Sequence, residues 1–150
     1  MTPEALQALI RGRIPVADFM QLSVQSLQAD QVIIEAPLDP NRNVHGTLFG
    51  GSGTAMSLVA AWSLVHARMQ DEGLQAPLVV ARQTTQYFRP VDGAVTARAV
   101  FENDESWADF TQALVQGRRA RVNEVVELQQ AGREVAARTE AVFAAVPAPT

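Results

Sequence analysis

Pro40-Asn41-Arg42-Asn43-Val44-His45-Gly46-Thr47-Leu48-Phe49-Gly50-Gly51-Ser52 runs straight into the segment 53–72, and the reading of this stretch decides the fold. It reads as a loop feeding one long helix. Leu48, Ala55, Leu58, Val59, Trp62, Val65 and Met69 recur mostly at three- and four-residue intervals, the spacing of an amphipathic or largely buried helix. Gly73 follows as a stop residue, and His66 and Arg68 suit the carbonyl end, so the helix is expected at about 50–72. Its beginning is unusual: Gly50, Gly51 and Gly53 flank Ser52, which is suited to N-cap the helix. Glycines there either let a ligand approach bare N–H groups or relieve close packing of helix on sheet, and local sequence favours neither.

Upstream, Thr2-Pro3-Glu4 opens a short helix over 3–11, with a capping hydroxyl, a proline at the first position and a carboxylate in the first turn. Gly12 is expected to end it. Phe19–Gln28 and Val32–Leu38 are β-rich and flank Ala29-Asp30-Gln31, the pattern of a hairpin. Downstream, Pro77–Pro90 reads as a long strand whose second half is unexpectedly polar. Val91-Asp92-Gly93 turns into Ala94–Glu102, giving an expected second hairpin. Trp107, Phe110, Leu114 and Val115 have helical spacing and mark an excursion. Arg118–Gln129 and Arg133–Val146 form a last pair about Gln130-Ala131-Gly132, and Pro147 and Pro149 break any strand, leaving a tail at 147–150.

Composition narrows the function. The 150 residues with 47% hydrophobic content suit one domain with a sizeable core. The net charge of −4, without segregation of sign, argues against a nucleic-acid binder. With no cysteine there is no disulfide and no thiolate, and His45 and His66 are too far apart for a histidine metal site, so no metal is expected. No segment has the length and apolarity of a membrane span or a secretory leader, which makes the cytoplasm the default location.

A hairpin, one long helix and about four further antiparallel strands bury that helix only if a strongly curved sheet wraps it. This α+β order resembles the hot-dog fold. The segment Pro37–Ser52, with Trp62 and Tyr87-Phe88-Arg89-Pro90, resembles a proteobacterial hot-dog family long named as thioesterases, whose members stand alone or follow a GNAT acetyltransferase domain. The chain is similar to the stand-alone type over nearly its whole length. The resemblance implies malonyl-ACP decarboxylase activity, which supplies acetyl-ACP for initiation of fatty acid synthesis, with the loop asparagine at position 43 taking part in catalysis. It also implies a homodimer, possibly a tetramer, with a pocket between protomers, and a substrate carried on the phosphopantetheine of acyl carrier protein or CoA rather than a resident cofactor.

The residues themselves bear on the reaction. Hydrolysis of a thioester needs a base or a carboxylate nucleophile. In many hot-dog thioesterases an HGG motif opens the helix and an Asp or Glu follows about two turns in. The corresponding positions here hold Phe49 and Leu58, and the helix interior from Gly53 to Gln70 contains no carboxylate. Decarboxylation of a malonyl thioester needs no base. It requires donors aimed at the thioester oxygen, where enolate charge develops, and weak solvation of the departing carboxylate. Asn43 can supply such a donor, as can the N–H groups of Gly50, Gly51 and Ser52; alternatively Asn41 and Asn43 only close an Asx-turn.

His45 has three open roles: protonating the carbanion, bonding the phosphopantetheine arm, or tying the loop together. Asn41, Phe49, Gly50 and Thr54 are candidate binding residues, with Thr84 and Tyr87 reaching in from the polar half of their strand. Asp39 before Pro-Asn reads as a turn initiator or a base. Arg118, Arg119 and Arg121 are a candidate docking patch for an acidic carrier or simply a solvated edge. Two further readings stay open: an acyl-CoA or acyl-ACP thioesterase, and a non-catalytic acyl-thioester binding module.

Overall fold

The computed structural model describes residues 1–146; the tail expected at 147–150 lies outside the described residues. The chain opens with α1 (Pro3–Arg13), capped by Thr2 Oγ1, which accepts from the Ala5 N–H at 3.1 Å. Gly12 does not end this helix. Pro15 does, by forcing Ile14 into extended geometry and then serving as the first residue of α2 (Pro15–Phe19). Phe19 therefore closes a helix instead of opening a strand, and β1 (Ser23–Leu27) starts later than its β-rich sequence suggests. β1 pairs antiparallel with β2 (Gln31–Ala36) as expected.

After the loop comes α3 (Gly50–Asp71), ended by Gly73 in the left-handed region at φ 69°. Then follow β3 (Leu78–Tyr87), β4 (Val95–Phe101), α4 (Glu105–Val115), β5 (Ala120–Gln130) and β6 (Val135–Ala145). All six strands form one antiparallel sheet in the order β1-β2-β4-β5-β6-β3.

The expected hairpin between the strands flanking Val91-Asp92-Gly93 does not form. β4 lies between β2 and β5, whereas β3 crosses the sheet to pair with β6, from Leu78 opposite Ala145 to Tyr87 opposite Ala137. The turn residues are real, but they end strands without choosing partners. Among the described residues one edge of β3 is consequently bare, and Val79 and Val80 are 49% and 45% exposed.

The sheet curves around α3, whose Met56, Ala60, Ala61, Leu64 and Val65 are buried in one core with Ile34 of β2, Ala97 and Ala99 of β4 and Val122, Val126 and Leu128 of β5. Fully burying each such Leu, Ile or Val contributes about 1.5–3 kcal/mol. This is the hot-dog arrangement. The Trp107 indole N–H donates to Glu72 at 2.6 Å and Arg68 stacks over the same ring at 4.8 Å, so α4 is fastened to the far end of α3.

The inward row of β5 includes a residue that alternation alone passes over. Glu124 lies between Val122 and Val126, is 1% exposed, and has no partner among the described residues for either carboxylate oxygen, so burial pushes its pKa well above the ordinary value. No helix among the described residues is long and apolar enough to cross a membrane.

Candidate active site

The loop before α3 is pinned on both sides. Asp39–Asn41 makes a single 3-10 turn, and the Asn41 amide donates to the carbonyls of Met20 at 3.0 Å and Pro37 at 2.8 Å. Phe49 N–H donates to Asn41 O, Asn43 N–H to Thr47 O, and Leu48 N–H to Val91 O, so the segment after β3 supports the loop. Within this frame Asn43 does form an Asx-turn. Its Oδ1 accepts from the backbone N–H groups of His45 at 2.8 Å and Thr47 at 3.1 Å, and Gly46 completes the turn at φ 78°.

Closing the turn does not use up the side chain. Asn43 Nδ2 donates one hydrogen to Thr47 Oγ1 at 2.9 Å and has a second to give. The residue lines a cavity of about 430 Å³ together with Thr47, Gly50, Tyr87, Arg89 and the apolar Leu128. Among the described residues Arg89 is the one charged side chain in that lining.

Helix α3 begins one turn earlier than Ser52 would dictate. Phe49, in extended geometry, occupies the cap position without a side-chain hydrogen bond, and Ser52 lies inside the first turn. The reason is the loop, whose Asn41–Phe49 bond fixes where the chain turns helical. The first intrahelical donor is Gly53, bonded to Phe49 O at 3.0 Å, which leaves the N–H groups of Gly50, Gly51 and Ser52 without helical acceptors at the positive end of the helix dipole. The glycines also have a packing role: a Cβ on Gly51 would come within 2.5 Å of the Phe49 ring, and one on Gly50 would touch the Tyr87 hydroxyl at 3.6 Å. Tyr87 donates to the Gly50 carbonyl at 2.6 Å and is 2.7 Å from Thr54 Oγ1.

The structure thus brings together Asn43, Gly50 and Tyr87, with Thr54 behind Tyr87 and Gly51 and Ser52 in the adjoining turn. Other expected residues lie elsewhere. Asn41 is 1% exposed and turned inward to brace the loop. His45 sits at the exposed loop tip, outside the cavity lining. Thr84 is three residues from Tyr87 on β3 and so faces the opposite side of the sheet, in a separate small hollow with Glu140. It is Thr85 that points inward, bonded to Thr139 at 2.8 Å.

Phe49 is 55% exposed and borders a second, open hollow of about 740 Å³ with Phe19, Pro40 and Val44. Asn43 lines both spaces and stands in the wall between them. Arg118, Arg119 and Arg121 are exposed about the start of β5, where Arg121 is about 23 Å from Leu128 at strand rise. His66 stacks on Trp62 at 4.5 Å with its pKa lowered by burial, about 24 Å along the helix from Gly50. Among the described residues no group of three or more His, Asp or Glu side chains is placed to hold a metal ion.

Sequence reasoning missed Thr47 and the cavity role of Arg89. The first had a local signal, since a hydroxyl four residues after the Asx-turn asparagine is placed to bond it. Leu128 and Ala137 had none, because they reach the cavity only through the pairing of β5, β6 and β3.

A hot-dog domain with a loop amide and a helix start beside one cavity is of the class of acyl-thioester enzymes, as its family and structural relatives support. More particularly, the chain belongs to the YiiD_C family, described as "Putative thioesterase (yiiD_Cterm)", whose model matches residues 3–147. It is similar to the structure of a thioesterase, so described only provisionally, from Shewanella oneidensis, with 27% identity over 97% of each chain and a TM-score of 0.86. It is also similar to a protein of unknown function from Chlorobaculum tepidum, with 25% identity over 97% of this chain and 96% of that one and a TM-score of 0.88. A probable thioesterase from Pseudomonas aeruginosa shares the fold at 19% identity, covering 96% and 95% of the two chains, with a TM-score of 0.81.

Proposed function

We propose that this protein decarboxylates malonyl thioesters, with malonyl-ACP as substrate and acetyl-ACP as product. The observation that carries this reading is the lining of the 430 Å³ cavity, which among the described residues presents amide, hydroxyl and backbone donors around Asn43 but neither carboxylate nor imidazole. Hydrolysis there would lack a base for water. Decarboxylation needs none: the bond between the carboxylate carbon and the α-carbon breaks, its electron pair enters the enolate, and the thioester oxygen takes the charge. The free hydrogen of Asn43 Nδ2 and the unpaired N–H groups of Gly50 and Gly51 stabilise that oxygen. The apolar Leu48 and Leu128 leave the malonyl carboxylate poorly solvated, so charge dispersal into the enolate is favoured. A proton from solvent then completes the acetyl group.

The working unit in this reading is a homodimer joined along the bare edge of β3. A ten-residue strand with one open edge, carrying the half-exposed Val79 and Val80, is a template for a second copy. Antiparallel pairing would set the Leu78 end of one protomer beside the Tyr87 end of the other. The arginines at 118, 119 and 121, two strands from Leu78, would then lie nearer the second protomer's cavity than their own, where an acidic carrier could use them.

Thioester hydrolysis by loop-held water is the second reading, favoured by the family description. Incubation with malonyl-ACP and, separately, with long-chain acyl-CoA distinguishes the two. Acetyl-ACP without free thiol is the expected product; free thiol from either substrate, with no acetyl thioester, would favour hydrolysis.

A further inference from the structure

We infer that Arg89 recognises the phosphate of the substrate's phosphopantetheine arm at the mouth of the cavity, held ready by Glu134. The inference rests on the acyl-thioester reading of the site. Among the described residues Arg89 is the one charged side chain lining a cavity otherwise built from apolar groups, hydroxyls and an amide. Its backbone is fixed, since the N–H groups of Phe88 and Arg89 both donate to Ala136 O, at 2.7 and 3.3 Å. Its side chain is 44% exposed, which places the guanidinium at the rim and not among the apolar residues.

Glu134 accepts from Arg89 Nη1 at 2.5 Å and is the only side-chain partner of this guanidinium among the described residues. A guanidinium has five N–H donors in a planar fork, so one edge can be oriented by Glu134 while the other meets an anion bidentately. An 80% exposed carboxylate does not neutralise that arginine the way a buried one would, because solvent screens the pair. The pair sets direction more than it consumes charge.

Two anions travel on such a substrate, the malonyl carboxylate and the arm's phosphate. Pairing the carboxylate with arginine would stabilise the ground state, whose charge leaves that group in the transition state, and so would slow its loss. The phosphate keeps its charge throughout. A rim arginine binding it contributes uniform affinity at no cost to the chemical step.

The test compares 4′-phosphopantetheine with pantetheine, which differ only by that phosphate, in calorimetric titrations of the intact protein. The parent protein should bind the phosphorylated form more tightly, and Arg89→Gln should weaken it about 10-fold or more while leaving pantetheine unchanged. Arg89→Lys should restore part of the loss, and Glu134→Gln should cost less than Arg89→Gln. A parent protein with no preference for the phosphorylated form, or a variant that weakens both ligands equally, would overturn the assignment whatever reaction the enzyme runs. A kinetic arm separates the two anions: Arg89→Gln should raise KM for malonyl-CoA at unchanged kcat, with malonyl-N-acetylcysteamine, which has no phosphate, unaffected. Loss of turnover on that small thioester would instead place Arg89 on the malonyl carboxylate and refute the proposal.

Discussion

The Tyr87 hydroxyl donates to the carbonyl oxygen of Gly50 at 2.6 Å, tying the last residue of the edge strand to the first residue of the long helix. The helix start cannot drift from the strand without breaking that bond, so the bare N–H groups of the first turn keep a fixed direction. Tyr87→Phe deletes it, along with the contact to Thr54. At a half-exposed site the cost should be about 0.5–1.5 kcal/mol in urea denaturation. Turnover should fall more than KM rises, because the loss is of positioning. Unchanged kinetics in a destabilised variant would show that the loop alone holds the helix start.

The bare edge of β3 predicts the state of assembly. Sedimentation of the parent protein should give a dimer, and Val79→Lys combined with Val80→Lys should give a folded monomer, because a lysine on an edge strand opposes pairing with another strand. A parent protein that sediments as a monomer at micromolar concentration would remove the shared-edge dimer.

The long helix, its glycine stop and the strand pairs at both ends of the chain were legible because each is encoded locally: helical spacing over 50–71, alternation in 120–130, Gly132 in the last turn. The partner of β3 was not. Val91-Asp92-Gly93 looks the same whether the next strand folds back or crosses over, and only burial of α3 by the whole sheet decides between them. The same limit applies to the site. Local sequence offered Asn41 and Asn43 alike as Asx-turn formers and only the family resemblance set Asn43 apart; Asn43 does close that turn, whereas Asn41, of identical type two residues away, is spent on the carbonyls of Met20 and Pro37, which no spacing announces. Thr84 was misplaced for another reason: from Arg82 to Tyr87 the strand keeps unbroken register, so alternation alone sets Thr84 and Tyr87 on opposite faces, and only one of the two can reach the cavity.

Glu124 predicts an unusual pH dependence of stability. In the unfolded chain this carboxyl titrates near its ordinary value of 4.5, whereas burial without a partner holds the folded group protonated to much higher pH. Below 4.5 both states are neutral and there is no penalty. Above it the unfolded chain releases a proton that the fold retains, so this group's contribution falls by about 1.4 kcal/mol per pH unit until the buried carboxyl itself ionises. Glu124→Gln should flatten that dependence in urea titrations at pH 5 and pH 8, and Glu124→Leu should in addition raise stability at pH 8 by roughly 1–3 kcal/mol. A variant no more stable than the parent at pH 8 would mean the carboxylate is satisfied in solution.

Reversing Arg119 and Arg121 to Glu should raise KM for malonyl-ACP up to about 10-fold and weaken its dependence on salt, because exposed charges act mainly on the encounter with an acidic partner. Both side chains are exposed, so stability should hold. Malonyl-N-acetylcysteamine should be turned over as before; equal losses on both substrates would exclude carrier docking at this patch.

Asn43 provides the sharpest test of mechanism, because its two ends do different things. Oδ1 closes the loop by accepting from His45 and Thr47, while Nδ2 faces Thr47 Oγ1 and the cavity. Asn43→Ala removes both, so a fall in turnover could come from a loosened loop. Asn43→Asp keeps the acceptor and the size, preserves the Asx-turn, and replaces only the donor with a negative charge beside the developing enolate. If the donor matters, Asp should be no better than Ala, with kcat for malonyl thioester down by about 10²–10³ and the fold and dimer intact. If the loop is what matters, Asp should retain near-parental decarboxylation and only Ala should lose it. The same variant probes the alternative chemistry, since a carboxylate at position 43 supplies the base that hydrolysis lacks here. Appearance of free thiol from acyl-CoA with Asn43→Asp, alongside lost decarboxylation, would show that one amide separates the two reactions on this scaffold.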